Sequence, residues 1–517
     1  MAMTETATTV PTHRVRFPGF SGAISVLLAL GLTELAAGWF VGVPSAIASV
    51  GSIIVDTTPS QIERFAISVF GTADKGALAI GTIIVALLVG VVIGRFAAKR
   101  FWIAVAAFSA FALFGVAAQL SQPGVNPPAA VLATVAASAA GLGTLWLLLR
   151  WEGVAEMEDS RPGNEDRRRF VMLAGAAVIV GAAGVVAGRQ AIIRRSEAAR
   201  SATPLPEAVT RIVEVGPEHQ FDIEGLTPIV VEAPDFYRID TALIVPIVSA
   251  DTWKVTVRGM VDNELELGLD DLKAMPQHER FVTIACVSNR VGDDLIGNAK
   301  WQGVRLTEVL EMAGIKEGAT QIVGRSVDGW TSGFPTDAAF DGRDPLIAIG
   351  MNDEPLPRRH GYPARLIVPG LYGYVSATKW LDEIELTTWD GFDGYWIPRG
   401  WAKEGPIKTQ SRIDKPRSAE EVPMGEVVAA GVAWAPTRGI AKVEVQVDEN
   451  PWIEAELTEP LSDEAWVQWK AGIDVGSGRH SLKVRATDGD GVTQTSERSP
   501  PSPDGATGWH TIEFSVA

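Results

Sequence analysis

The stretch that decides the fold is Met351-Asn352-Asp353-Glu354-Pro355-Leu356-Pro357-Arg358-Arg359-His360-Gly361-Tyr362-Pro363-Ala364-Arg365. It reads as a Pro/Gly turn running into a strand at 365–368. Downstream come Pro369-Gly370, Tyr372-Gly373-Tyr374 and Lys379-Trp380. A glycine-containing turn with His360, Arg365 and Lys379 nearby suits a cradle for an oxyanion, because backbone N–H groups and cations converge there. The same pattern also fits a structural turn with solvated charges.

Upstream, 281–285 reads as an apolar strand that ends at Cys286 and continues as Val287-Ser288-Asn289-Arg290. Cys286 is the chain's one cysteine, so no intramolecular disulfide forms. A lone thiol at a strand end is either a small buried hydrophobe or a ligand. As a thiolate it needs a metal or nearby positive charge, and Arg290 supplies charge.

The 517 residues divide into two unlike halves. Residues 1–200 hold 16 Lys+Arg and 12 Asp+Glu; residues 201–517 hold 29 and 50. The acidic half argues against nucleic acid as a partner, because like charges repel. The first half carries apolar runs at 20–42, 76–97, 101–121 and 128–149, and a shorter one at 170–188. A span needs about 20 residues, so these predict five transmembrane helices in the lipid bilayer. Residues 43–55 are too short to span, and 61–71 reads as an interfacial helix. Arg14 and Arg16, then Arg95, Lys99 and Arg100, then Arg161 and Arg167–Arg169 occupy alternate loops. The positive-inside rule puts those loops and the N-terminus in the cytoplasm and the C-terminal half outside. Arg194, Arg195 and Arg200, after the fifth run, pull the other way. Arg167-Arg168-Arg169-Phe170-Val171-Met172-Leu173 resembles a twin-arginine export signal and also fits an ordinary basic flank. No histidine lies between His13 and His219, so the spans offer no pair for a b-type haem; Cys-x-x-Cys-His is also absent.

Four segments organise the chain: a membrane anchor at 1–193, a proline-bearing linker at 194–235, an α+β domain at 236–400, and a β-rich domain at 401–517. Strands are expected at 253–260, 281–285, 321–325, 346–349 and 365–368, with helices at 268–275 and 306–313. Short strands at 425–429, 441–447, 453–457, 465–470, 480–487 and 510–516 predict an immunoglobulin-like β-sandwich. Trp434, Trp452, Trp466, Trp469 and Trp509 are expected in its core. Trp389, Tyr395, Trp396, Arg399, Trp401 and Lys403 read as an aromatic joint between domains, with a substrate box as the alternative.

The order Cys286-x-x-Asn289-Arg290, Leu356-Pro357-Arg358-x-His360-Gly361-Tyr362-Pro363-x-Arg365, Pro369-Gly370, Tyr372-Gly373 and Lys379-Trp380-Leu381 resembles the molybdopterin-binding domain of the sulfite oxidase superfamily. The resemblance continues through Gly431-Val432-Ala433-Trp434 and Arg485-Ala486-Thr487-Asp488-Gly489 into that family's C-terminal dimerisation domain. It implies a molybdenum and molybdopterin cofactor with Cys286 as the protein thiolate on the metal and Arg290 beside it. Phe236, Tyr237, Arg238, Asp328, His360, Arg365, Ser376 and Lys379 would contact the cofactor. It further implies oxygen-atom transfer on a small molecule, a separate cytochrome or quinone-linked electron partner, and a homodimer. Two departures bear on substrate. The Arg-Asn-His element of sulfite-oxidising members is replaced by Tyr237-Arg238-Ile239-Asp240, and Val291 stands where a second arginine is usual. Sulfite oxidation therefore has an alternative in reduction of sulfoxides or similar groups. A cofactor-free envelope scaffold is the reading from outside the enzyme class.

Overall fold

The computed structural model describes residues 17–40, 42–58, 74–122, 125–154, 164–201, 204–242 and 245–517. The helix expected at 61–71 lies outside the described residues. The chain divides into two compact units, Met1–Arg195 with Ala242–Ile244, and Ser196–Thr241 with Val245–Ala517.

The first unit is all helix: α1 Pro18–Trp39, α2 Ala46–Thr57, α3 Asp74–Ala97, α4 Trp102–Leu120, α5 Pro127–Val154 and α6 Asn164–Ser201. Among the described residues, five stretches are long and apolar enough to cross a membrane: Pro18–Trp39, Gly76–Ala97, Trp102–Leu120, Pro127–Trp151 and Arg168–Arg194. They coincide with the five apolar runs. Helix α1 packs backbone to backbone with its neighbours. A methyl group added at Gly22 would sit 2.0 Å from the Gly90 carbonyl oxygen of α3, and one at Gly31 would sit 2.2 Å from that of Gly181 in α6. Lipid tails are as apolar as leucine, so close fit between small residues replaces hydrophobic drive in holding such helices together.

Among the described residues, one carboxylate is buried in this unit. Glu34 of α1 accepts a hydrogen bond from the Ser45 hydroxyl at 2.8 Å and from the Ile47 amide at 3.2 Å. It thereby caps the N-terminus of α2, where amides otherwise lack partners. Twelve residues cannot cross a bilayer, so α2 is held by its ends and not by spanning. Polar pairing continues with Gln119, which donates to the Pro44 carbonyl and accepts from Thr134.

The second unit begins with two sheets. One has the order β2-β1-β10-β5-β6, from Leu265–Gly268, Lys254–Gly259, Leu381–Thr387, Gln321–Ser326 and Phe334–Pro335. The other has the order β3-β4-β7-β8, from His278–Ala285, Ile296–Arg305, Leu346–Met351 and Glu354–Pro355, with β9 Arg365–Ile367 paired to β7. Helices α7 Leu269–Ala274 and α8 Leu306–Ala313 follow strands directly, and α8 turns Leu306, Val309, Leu310 and Ala313 inward. Strand β4 has no counterpart in the sequence reading. It is buried on both faces, so it lacks the alternation that marks a half-exposed strand. Its Gly303 lies against β7, where a methyl group would meet the Ile347 oxygen at 2.1 Å.

The C-terminal part is a two-sheet sandwich. Its sheets run β11-β13-β17-β16 and β12-β19-β18-β14-β15. They are built from Gln410–Lys415, Glu426–Trp434, Val467–Asp474 and Glu456–Leu457, and from Glu421–Val422, His510–Val516, Gly478–Asp488, Ile440–Val447 and Ile453–Glu454. The strand expected at 453–457 is two pieces in different sheets. The tryptophans divide three ways. Trp469 lies in the sandwich core, while Trp434 and Trp466 join the core of the preceding domain. Trp452 and Trp509 are half-exposed and meet edge to face at 5.0 Å, with the Arg485 guanidinium 4.1 Å from the Trp452 ring. Strand β18 alternates, so Leu482, Val484 and Ala486 face in and Arg485 gathers the two indoles outside.

The cap on α2 yields a test. Glu34→Leu leaves the Ile47 amide and Ser45 hydroxyl without a buried acceptor and is expected to cost about 1–3 kcal/mol. Glu34→Gln keeps one oxygen and costs less. Thermal unfolding of the full chain in detergent should rank wild type above Gln above Leu; equal midpoints for all three would refute the role.

Candidate functional site

Six chain segments meet around one cavity of about 880 Å³, counting its open mouth. Its lining includes Phe236, Tyr237 and Asp240 from the segment before β1, and Cys286 and Ser288 after β3. Asp328 and Trp330 come from the turn after β5, and Arg365 from the start of β9. Gly373, Tyr374, Ala377 and Lys379 come from the helical turn Gly373–Ser376 and the residues after it; Trp396 and Trp401 close one side.

Phe236 is fully packed: it stacks on Tyr237 at 5.3 Å and meets Trp301 and His360 edge to face. Gly297 of β4 makes room for it, since a methyl group there would lie 2.7 Å from the ring. Cys286 is 8% exposed, at the end of the strand that delivers it. Its amide donates to the Leu295 carbonyl, which fixes the turn. Burial pushes the thiol pKa up, against the Ser288 amide and hydroxyl and the Lys379 charge, which favour the thiolate. The Tyr237 phenol is also pushed up, by burial and then by Cys286.

Arg365 is the unusual group. It is 2% exposed, and among the described residues no carboxylate lies within ion-pair distance of it. Its guanidinium donates to the His360 carbonyl at 3.1 Å and to the Ala377 carbonyl at 3.4 Å, and lies 4.9 Å from the centre of the Trp301 ring. Its Nε has no partner. Burial lowers its pKa to about 10. An uncompensated buried cation is costly, so such a site favours an incoming anion. Lys379 donates to the Ile239 carbonyl at 3.0 Å and to the Asp240 carboxylate at 3.3 Å. Burial, then the neighbouring arginines, outweigh Asp240 and bring its pKa to about 8.

His360 does not line the cavity; it backs Phe236 from behind. Its Nε2 is 2.8 Å from the Ala233 carbonyl, so Nε2 carries the proton. Burial and the charges of Lys379 and Arg365 lower its pKa to about 3, which keeps it neutral, and its buried Nδ1 has no partner.

Of the residues singled out from sequence, the cavity brings together Phe236, Tyr237, Cys286, Asp328, Arg365 and Lys379. Arg238 stands behind, paired with Asp240 at 2.7 Å. Ser376 is buried, with its hydroxyl bonded to the Leu371 and Tyr372 carbonyls. Arg290 is exposed and lies off the cavity lining. Ser288, Asp240 and Trp330 line the cavity without having been singled out. Each lies two residues from one that was, Cys286, Arg238 and Asp328 respectively, and nearness in sequence was their only signal. Trp396 and Trp401 line the cavity and also pack on the domain core.

Residues 242–396 match the family model described as the oxidoreductase molybdopterin binding domain. The chain is 30% identical over 303 residues to sulfite oxidase of Arabidopsis thaliana, covering 46% of this chain and 76% of that protein. It is 37% identical over 153 residues to the uncharacterized oxidoreductase YuiH of Bacillus subtilis, covering 30% and 74%. Mitochondrial sulfite oxidase of Rattus norvegicus is 29% identical over 289 residues, covering 47% and 53%. The chain thus spans about half the length of the mammalian sulfite oxidases it matches.

The isolated charge of Arg365 predicts a separation of stability from binding. Arg365→Met removes a desolvated cation and retains length and bulk, so the cofactor-free full chain should unfold at or above the wild-type temperature. Capture of any anionic group in the cavity should fall at least about tenfold. Differential scanning fluorimetry of both forms checks this; a large loss of stability would mean that Arg365 is structural.

Proposed function

The chain belongs to the sulfite oxidase superfamily of molybdopterin oxidoreductases, and on that footing we propose that the cavity around Cys286 binds a molybdenum–molybdopterin group and transfers an oxygen atom to or from a small molecule. The observation that carries the reading is the pairing, in one cavity, of a buried thiol with a buried arginine that has no carboxylate partner among the described residues. A soft thiolate suits a redox-active metal, and the arginine suits an anionic pterin or phosphate. When bound, the group supplies the two-electron exchange XO + 2H⁺ + 2e⁻ ⇌ X + H₂O.

In this reading the chain's own residues have distinct tasks. Cys286 would hold the metal as its thiolate, and because burial raises its pKa the thiol would stay protonated without one. Ser288 holds the sulfur through amide and hydroxyl. Arg365 and Lys379 neutralise the anionic part of the cofactor. His360 and Arg238 act at one remove, the first by backing Phe236 and accepting from Arg365 at its carbonyl, the second by orienting Asp240 against Lys379. Phe236 and Tyr237 form one wall and Asp328 another. Arg290 and Ser376 take no direct part.

The five apolar helices anchor this machinery in the cytoplasmic membrane, with the second unit outside, as the alternating Arg and Lys loops support. Residues 1–193 form the anchor, 194–235 the linker, 236–400 the catalytic domain and 401–517 the sandwich, which is also the surface for a homodimer. Electrons pass to or from a separate cytochrome or quinone-linked membrane protein.

Metal analysis tests the central claim. Wild type made in a cofactor-competent host should hold close to one molybdenum per chain, and Cys286→Ser should change the molybdenum(V) paramagnetic spectrum on partial reduction. Metal-free wild type, or an unaltered spectrum, would exclude Cys286 ligation. A second test uses pH. Lys379 attracts an anion only when protonated, so retention of the cofactor should be full below about pH 8 and fall as pH rises, by up to about tenfold per unit. Lys379→Arg should flatten that fall; an identical profile in the variant would assign the dependence to another group.

A further inference from the structure

We propose that Arg412 and His510, two side chains of the C-terminal sandwich, are positioning residues for the Cys286 sulfur. On the reading of the cavity as the molybdenum site, they hold the loop 287–294 and, through it, set the direction in which the sulfur meets a metal.

The loop is tied to Cys286 by main-chain bonds on both sides of its α-carbon. The Cys286 amide donates to the Leu295 carbonyl at 2.9 Å, and the Cys286 carbonyl accepts from the Asn289 amide at 3.0 Å. The Asn289 side chain closes the base of the loop by accepting from the Leu295 amide at 2.8 Å. A shift of the loop therefore turns both peptide planes that flank Cys286, and the Cα–Cβ bond turns with them. A metal ligand has to keep its place and direction to within about 0.5 Å and 10–20°. Further out, the Asp293 amide donates to the Arg290 carbonyl at 3.1 Å, a bond that shapes the loop from within and does not tie it to the domain.

The sandwich supplies the outer hold, from two strands. Arg412 of β11 is buried and donates through Nη1 to the Asp293 carbonyl at 3.1 Å. Its Nε lies 2.7 Å from the Asp414 carboxylate and its Nη2 2.6 Å from the Thr227 hydroxyl. Asp414 in turn accepts from the Thr227 amide at 3.1 Å. Three nitrogens of one planar fork thus meet three acceptors in three segments, a geometry that lysine cannot reproduce. His510 of β19 holds the next residue by contact. Its Nδ1 accepts from the Ile413 amide at 2.9 Å, so Nε2 carries the proton. That edge of the ring faces Gly292, where a methyl group would lie 2.5 Å from Nε2. Gly292 also has φ +90°, so contact and backbone both require glycine there. Burial, then the Arg412 charge, lower the His510 pKa to about 4, which keeps the ring neutral. The charge that bears on the Cys286 thiol is that of Lys379, so Arg412 acts on the sulfur through the backbone and not through its field. Groups that orient a ligand from outside the coordination sphere tune a metal site.

The full chain in detergent offers two readouts: the molybdenum(V) paramagnetic spectrum of the loaded protein, and the rate at which iodoacetamide alkylates the metal-free protein. Cys286 is the chain's one cysteine, so alkylation reports on it alone. Arg412→Lys keeps the charge and loses the fork, and Arg412→Met loses both. His510→Asn keeps an acceptor for the Ile413 amide and removes the ring edge against Gly292. All three should shift the spectrum and be alkylated at least about tenfold faster, as expected when a bond that holds a buried turn is lost. Arg485→Met removes a different sandwich cation, one that pairs with Glu444 and Trp452, and should leave both readouts as in wild type. Wild-type spectra and alkylation rates in the Arg412 and His510 variants would overturn the proposal. So would equal changes in Arg485→Met, which would trace them to a general loosening of the sandwich. The alkylation arm needs no metal, so molybdenum-free wild type would sink the cofactor reading, while alkylation would still decide whether Arg412 and His510 hold the thiol.

Discussion

Arg365 sets the terms for the rest of the second unit. A guanidinium 2% exposed, with no carboxylate opposite it among the described residues, is tolerated only where carbonyls and a ring face hold it. The turn before it supplies the carbonyl of His360, the turn after it supplies that of Ala377, and β4 supplies Trp301 beneath it. The left-handed Gly361 (φ +111°) packs against Arg365 and Lys379, so the two cations share one close-packed corner. Strands β4, β7 and β9 are therefore the floor on which the charge is mounted, and the Pro/Gly turn at 355–363 is the device that aims it.

The thiol is mounted from the opposite direction, with the sandwich as its support. The Trp466 indole donates to the Ile229 carbonyl, its amide donates to the Thr283 hydroxyl, and the Thr283 amide donates to the Glu464 carbonyl. Thr283 stands in β3, three residues before Cys286. The strand that carries the sulfur is thus clamped by the C-terminal domain, and Val432, Trp434 and Trp466 complete a core that belongs to both. A strand end free to fray would let Sγ wander by more than a metal site tolerates.

This shared core explains what could and could not be read from sequence. The cysteine, the turn at 351–365 and Lys379 were legible because each is a local pattern of rare residues at a strand end. The five apolar helices were legible because length and hydropathy decide them. Strand β4 was not, since burial on both faces erases alternation, and its two glycines serve neighbours distant in sequence, Phe236 and Ile347. Trp434 and Trp466 were assigned to the sandwich because nothing in a sequence tells an inward tryptophan which of two abutting cores it enters. Arg290 illustrates the converse: closeness to Cys286 in the chain suggested closeness to the site, yet the turn after β3 sends it outward. Glu34 passed unremarked, since its cap on α2 depends on a loop geometry with no sequence mark.

The residues proposed to hold the cofactor and those at the cavity's aromatic side are mounted differently. Cys286, Arg365 and Lys379 hang on strand ends and turns packed into the core, where a substitution disturbs several neighbours at once. Trp396 and Trp401 belong to the irregular stretch between β10 and β11, where both are half-buried and pack against the core. Residues on such a stretch can change with little cost to the fold, whereas those beneath them cannot. A family that keeps one metal site and varies its substrates would be expected to place its variation there. In this chain that stretch presents indole and phenol rings, and the two cations nearest them, Arg399 and Lys403, are turned to its own carbonyls. The charges that line the cavity, those of Arg365, Lys379, Asp240 and Asp328, therefore come from other stretches than this one.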